Sequence, residues 1–188
     1  MNQTVSMFGV ALLILTLVIA VVLGLLVGPT SPITWVLILA LVAIPFVYRK
    51  MTARRFLTWR DEYSVGIESI DREHKKLLGL INQLQTAVDY ATDETFEREA
   101  LDAAVDYTRT HFAHEEALME QYGYPDFAAH KAEHRKMIDK VNSLVADYES
   151  DPDKTLQEAL DFLKQWLVRH INGTDKQYSS FLREKGAT

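Results

Sequence analysis

The chain has 188 residues, no cysteine, and 26 acidic against 20 basic side chains, for a formal charge of −6 with histidine neutral. That length holds one ordinary domain and an appendage, and the missing thiol excludes a disulfide framework, a zinc ribbon, an iron–sulfur cluster and a cysteine nucleophile. Only four basic residues (Arg49, Lys50, Arg54, Arg55) and no acidic ones precede Trp59, so the remainder is strongly acidic and lacks the basic face that nucleic acid requires.

Taken in chain order, residues 1–48 read as a transmembrane helical hairpin. Phe8 to Val27 carries no charge and is long enough to cross a bilayer core. Gly28-Pro29-Thr30-Ser31-Pro32 is a run of helix breakers that predicts a tight turn. Ile33 to Tyr48 is a shorter apolar run containing Pro45, which would cross with little tilt or use Trp35 and Tyr48 as interfacial anchors. A cleaved signal peptide would want a basic leader and a small-residue cleavage site, and neither is found. A hairpin buried in a soluble core would keep a polar face. A single span followed by a re-entrant segment is the remaining alternative.

The four basic residues after the second run favour the cytoplasmic side, by the positive-inside bias. The expectation is a membrane protein, of the bacterial inner membrane, with both termini and the following domain in the cytoplasm. Residues 49–58 form a short basic linker that would hold that domain near the lipid bilayer.

From Trp59 to Gly66 the sequence predicts an irregular arm, and beyond it the apolar period is helical throughout. Ile70, Leu77, Ile81, Leu84 and Val88 make one stripe of a helix from about Ser69 to Tyr90. Thr92 or Asp93 can cap a second helix that ends near Tyr122-Gly123. Tyr124-Pro125-Asp126 starts a third, and Asp151-Pro152-Asp153 introduces a fourth carrying Leu156, Leu160, Leu163, Trp166, Leu167 and Phe181. There is no strand signal and no internal repeat. Short connections between long helices predict an all-α fold for residues 59–188: an antiparallel up-down-up-down four-helix bundle, preceded by the two transmembrane helices.

The placement of six histidines carries the chemistry. His111 and Glu115 lie four apart and share a helix face, as do His130 and His134. His74 falls on the inward stripe of the first bundle helix and His170 on that of the fourth. Asp175 follows His170 by five residues, which a straight α-helix would turn about 140° away. A π-bulge would bring the two together, and Asn172-Gly173-Thr174 is a weak helix interior that could accept one. One inward histidine is commonly a hydrogen-bonded core residue. Five histidines and two carboxylates on one axis would instead leave many buried polar groups unpaired, a difficulty that a metal removes. His114 falls outside the pattern and reads as a rim or surface residue. Spacing alone leaves the metal open, with zinc and manganese as alternatives to iron.

The series His74, His111-Phe112-x-x-Glu115, His130-x-x-x-His134 and His170-x-x-x-x-Asp175 resembles the hemerythrin signature. The segments Glu115-Glu116-x-Leu118-Met119 and Tyr122-Gly123-Tyr124-Pro125 are similar to those of bacterial hemerythrin-like domains (bacteriohemerythrins), over Trp59 to about Leu182. The resemblance implies two iron ions joined by an oxo or hydroxo group. His130, His134 and His170 would hold one, His74 and His111 the other, and Glu115 and Asp175 would bridge both. The five-coordinate ion would be where dioxygen binds. Phe112, Trp166, Leu167 and Ile171 flank the ligands and would form a dry pocket there, besides being bundle core.

The function implied is reversible dioxygen binding, for carriage, storage or local delivery at the membrane, with a membrane oxygen-consuming enzyme as a possible partner, and not catalysis. The alternatives are a membrane-tethered oxygen or redox sensor, for which no output domain is read, and a di-iron enzyme acting on peroxide or nitric oxide. The latter would need proton donors where the sequence offers mostly apolar neighbours.

Overall fold

The computed structural model describes residues 3–28, 30–90, 93–148 and 150–188. Pro29 of the expected turn and Thr92 of the expected cap lie outside the described residues. The chain divides into two units, residues 1–56 and 57–188.

In the first unit α1 (Gln3–Val27) packs against α2 (Pro32–Ala53). Both are long and apolar enough to cross a membrane. Leu12, Leu15 and Leu23 of α1 and Leu39 and Phe46 of α2 are exposed, an apolar surface of a kind that soluble monomers rarely present. The turn closes with the Ser31 amide donating to the Gly28 carbonyl at 3.1 Å, and Pro32 opens α2, where its missing N–H costs nothing. Gly24 lets the helices approach: a Cβ there would stand 2.7 Å from the Thr34 hydroxyl oxygen. α2 runs on past Tyr48 through Arg49 and Lys50 to Ala53, so much of the segment read as a linker is helix.

The second unit opens with the arm, which holds one 3₁₀ turn at Asp61–Tyr63. Tyr63, Val65 and Ile67 are buried, and Asp71 accepts from the Ser64 hydroxyl and, at 2.7 Å, from the Val65 amide. Lys176 donates to the Ser64 carbonyl and ties the arm from the other side. These bonds fix a segment whose sequence has no period of its own.

The bundle comprises α3 (Glu68–Tyr90), α4 (Glu94–Tyr122), α5 (Phe127–Asp147) and a fourth helix in three parts: α6 (Pro152–His170), a π-helical turn (Ile171–Asp175) and α7 (Lys176–Glu184). Packing of α3 on α4, α4 on α5, α5 on α6 and α6 on α3 closes the ring expected of an up-down-up-down bundle. The described residues contain no strand. Asp93 caps α4 by accepting from the Phe96 amide at 3.0 Å, and Asp151 does the same for α6 from the Lys154 amide at 3.3 Å. Gly123 ends α4 in the left-handed region at φ 68°, where a side chain would be strained.

The core is in two pieces. The larger contains Leu77, Ile81, Leu101, Phe112, Met137, Leu160, Leu167 and Ile171; the smaller contains Val65, Ile67, Ile70, Met119, Tyr178 and Leu182. Along α3 the sequence passes from Ile70 in one to Leu77 in the other, with His74 between. Along α4 it passes from Phe112 to Met119, with Glu115 between. A buried polar layer therefore separates the two apolar pieces.

Candidate metal centre

Each bundle helix delivers part of that layer. α3 supplies His74, α4 His111 and Glu115, α5 His130 and His134, α6 His170, and the π turn Asp175; none is more than 5% exposed. The i, i+4 pairs share a face because four residues make slightly more than one α-turn. Between His170 and Asp175 the π-helical turn predicted from the spacing is present, and its wider winding returns the carboxylate to the face of the imidazole.

The layer has two overlapping groups. One ligand atom from each of Glu115, His130, His134 and His170 lies within 4.8 Å of the others, and the same holds for His74, His111 and Glu115. The Nε2 atoms of His130 and His134 are 3.0 Å apart, as are those of His134 and His170. Asp175 stands between the groups, with Oδ1 3.0 Å from His170 Nε2 and Oδ2 3.3 Å from His74 Nε2. Glu115 Oε2 lies 3.3 Å from His134 Nε2 and 3.7 Å from His111 Nε2. All seven residues picked out by spacing are thus brought together.

This donor set fits a cation. Both His74 nitrogens, His111 Nε2, Glu115 Oε2 and both Asp175 oxygens are buried without a hydrogen-bond partner. Such groups are costly unless something else satisfies them. Burial pushes the Glu115 carboxyl up, but the imidazoles crowded around it, His111 first and then His130, His134 and His74, hold it well below the usual carboxylate range. Burial and Glu115 both raise Asp175, yet His170 and His74 outweigh them and leave it low. Two buried carboxylates kept ionised amid lone-pair nitrogens form an anionic, nitrogen-rich site of a kind suited to a first-row metal.

A second layer of residues, missed from the sequence, orients the first. Glu73 accepts from His111 Nδ1 at 2.9 Å and from His114 Nδ1 at 2.8 Å. Glu116 accepts from His134 Nδ1 at 3.1 Å and pairs with Lys131 at 2.8 Å. Tyr178 donates its hydroxyl to Glu115 Oε1; burial, then the Glu115 and Asp175 charges, push that phenol far above its ordinary value, so it remains a donor. His114 does lie at the rim, but it is engaged there. The only sequence signal for these partners was adjacency, since Glu73 precedes His74 and Glu116 follows Glu115.

Of the apolar residues expected around the site, Phe112 stacks on His134 with ring centres 3.7 Å apart and planes at 2°, and Trp166 stacks on His170 at 4.1 Å and 20°. Leu167 and Ile171 are buried in the same core piece as Phe112. A cavity of about 190 Å³, lined also by Tyr124, Glu133, Thr174 and Gln177, reaches His130.

Comparison with known proteins places this geometry. Residues 65–182 match the family described as the hemerythrin HHE cation binding domain. Bacteriohemerythrin of Stenotrophomonas maltophilia (strain R551-3) is 37% identical over 65% of this chain and 79% of its own. Bacteriohemerythrin of Methylococcus capsulatus (strain Bath) is 33% identical over 67% of this chain and 96% of its own. A crystal structure of wild-type hemerythrin superimposes with a TM-score of 0.59 at 33% identity, covering 67% of this chain and 97% of that one. The family match falls within the second unit.

Proposed function

Because the chain belongs to the hemerythrin family, we propose that residues 57–188 hold two non-haem iron ions and bind dioxygen reversibly beside a membrane. The observation that carries this reading is the layer of buried, unpaired nitrogen and carboxylate atoms shared by two histidine groups. His130, His134 and His170 would take one ion, His74 and His111 the other, with Glu115 and Asp175 bridging. When bound, a ferrous pair would supply the two electrons that dioxygen takes up.

The chain's own residues do the rest. Glu73 and Glu116 accept the Nδ1 protons of His111 and His134, which leaves each Nε2 lone pair directed inward. The unequal donor sets, three imidazoles against two, leave fewer ligands on the His74–His111 side. Buried Phe112, Leu167 and Ile171, with half-buried Trp166 stacked on His170, would limit the supply of protons that releases the reduced ligand and makes binding irreversible. Few carboxylates and many imidazoles distinguish the site from the carboxylate-rich bundles that activate oxygen.

The two apolar helices support a lipid bilayer as the surroundings of residues 1–48 and a membrane oxygen consumer as the recipient. The basic residues after Tyr48 support a cytoplasmic bundle at a bacterial inner membrane. In this reading the bundle is a tethered local store.

The test is an optical titration of the iron-loaded, anaerobically reduced chain with dioxygen. A visible band that rises on oxygenation and falls on deoxygenation supports binding. Irreversible oxidation without such a band overturns it, and measured turnover of peroxide or nitric oxide would make the protein an enzyme. Extraction of the chain from membranes by alkaline carbonate would remove the tether.

A further inference from the structure

The sixth histidine is the group that the proposed site does not use. His114 lies one residue before Glu115 and three after His111, so on α4 it shares a flank with His111 while its side chain remains 37% exposed. Both imidazoles meet one carboxylate on α3. Glu73 Oε2 accepts from His111 Nδ1 at 2.9 Å, and Glu73 Oε1 accepts from His114 Nδ1 at 2.8 Å. An ionised carboxylate has only acceptors to offer, so each Nδ1 in contact with it must carry a proton. For His111 that leaves the lone pair on Nε2, the buried atom with no hydrogen-bond partner.

We infer that His114 is a positioning residue: it anchors Glu73, and through Glu73 it fixes the tautomer and ring angle of His111 toward the metal. The inference rests on the reading of the site as a di-metal centre. Without His114, Glu73 keeps one bond and can swing about its side-chain torsions, since the protein supplies no other hydrogen-bond donor to it among the described contacts. The other half of the site has its own arrangement. There Glu116 accepts from His134 Nδ1, and the second Glu116 oxygen is held by Lys131, not by a histidine. Loss of His114 should therefore weaken one metal position and spare the other. Substitutions in such outer partners commonly change metal affinity by about 10- to 100-fold.

The experiment is an anaerobic titration of the full-length chain in detergent with cobalt(II), read by its visible d–d absorption and by competition with a chelator. Folding of every variant is checked by circular dichroism. The wild type is expected to take two ions. His114→Leu should weaken one of them about tenfold and change its spectrum, leaving the second within twofold. His114→Asn should restore most of the affinity, because the asparagine amide nitrogen can occupy the place of Nδ1 and donate to Glu73. Glu73→Ala should weaken the same ion, and the Glu73→Ala/His114→Leu double variant should be no weaker than Glu73→Ala alone. Unchanged affinities in His114→Leu, equal loss at both positions, failure of His114→Asn to rescue, or additive losses in the double variant each overturn the inference. A wild type that binds fewer than two ions overturns the di-metal reading itself, and the inference with it.

Discussion

Tyr178, on α7, donates its hydroxyl to Glu115, the carboxylate common to both histidine groups. The bond crosses from the smaller apolar core piece into the polar layer, and it gives Glu115 Oε1 a partner while Oε2 has none. Among the described residues it is the one side-chain donor outside the seven candidate ligands that reaches the centre of the site.

Tyr178→Phe is expected to destabilise the metal-free protein by about 1–3 kcal/mol, the cost of leaving a buried acceptor unmade. With metal bound the loss should be smaller, because a cation then satisfies the same carboxylate. Melting temperatures of wild type and variant, each with and without metal, test this. An equal loss in both states would mean that the hydroxyl serves packing alone.

Glu97, in the first turn of α4, offers a pH-dependent prediction away from the site. Burial, then the nearby Asp153, Glu94 and Asp93 charges, raise its carboxyl above the ordinary glutamate value. A carboxyl raised in the folded state binds its proton more tightly there than in the unfolded chain. Its ionised form therefore costs stability, and the cost grows as pH rises from the unfolded to the folded pKa. Glu97→Gln should stabilise the protein at pH 7 by on the order of 0.5 kcal/mol, a figure kept small by screening and by the favourable helix N-terminus. Urea midpoints should converge by about pH 4, where both states are largely protonated. A gain that persists there would refute the electrostatic cause.

The π turn separates two substitutions at one position. A Cβ on Gly173 would meet nothing within 4 Å, so Gly173→Ala should leave metal affinity unchanged and raise stability by about 0.5–1 kcal/mol. Gly173→Pro removes a backbone donor between His170 and Asp175 and should lower metal binding along with stability. Retained two-ion binding in the proline variant would show that the turn does not position Asp175.

The division of the chain predicts that residues 57–188, produced alone, form a helical, monodisperse protein in water that binds the same metal complement. The described core clusters lie wholly within that unit. Sedimentation and metal analysis decide it; aggregation of the fragment would mean that the first 56 residues contribute to folding.

The bundle and its inward residues were legible because helical period and ligand spacing obey the same geometry: a residue on the apolar stripe, such as His74 or His170, must face the axis. Asp175 was legible by contradiction, since five residues of α-helix would have misdirected it. Glu73, His114 and Tyr178 were not. Their roles depend on how far α3 and α7 rotate against α4, and a one-dimensional pattern does not specify that rotation. The arm was legible only as irregular, because what orders it, Asp71 and Lys176 reaching Ser64, comes from residues outside it. α2 outlasts its apolar run because Arg49 and Lys50, charged but good helix formers, continue the helix into Met51.

The split core has a consequence for motion. With a cation in the polar layer, the two apolar pieces are bolted through one set of bonds and should open together. Without it, the smaller piece rests on few side chains against a layer of mutually unsatisfied groups. Amide hydrogen exchange should then become uneven: fast around Val65, Ile67 and Leu182, slow around Leu101 and Leu160, with the difference closing as metal is added. The ion would act as the rivet that makes two foldons one.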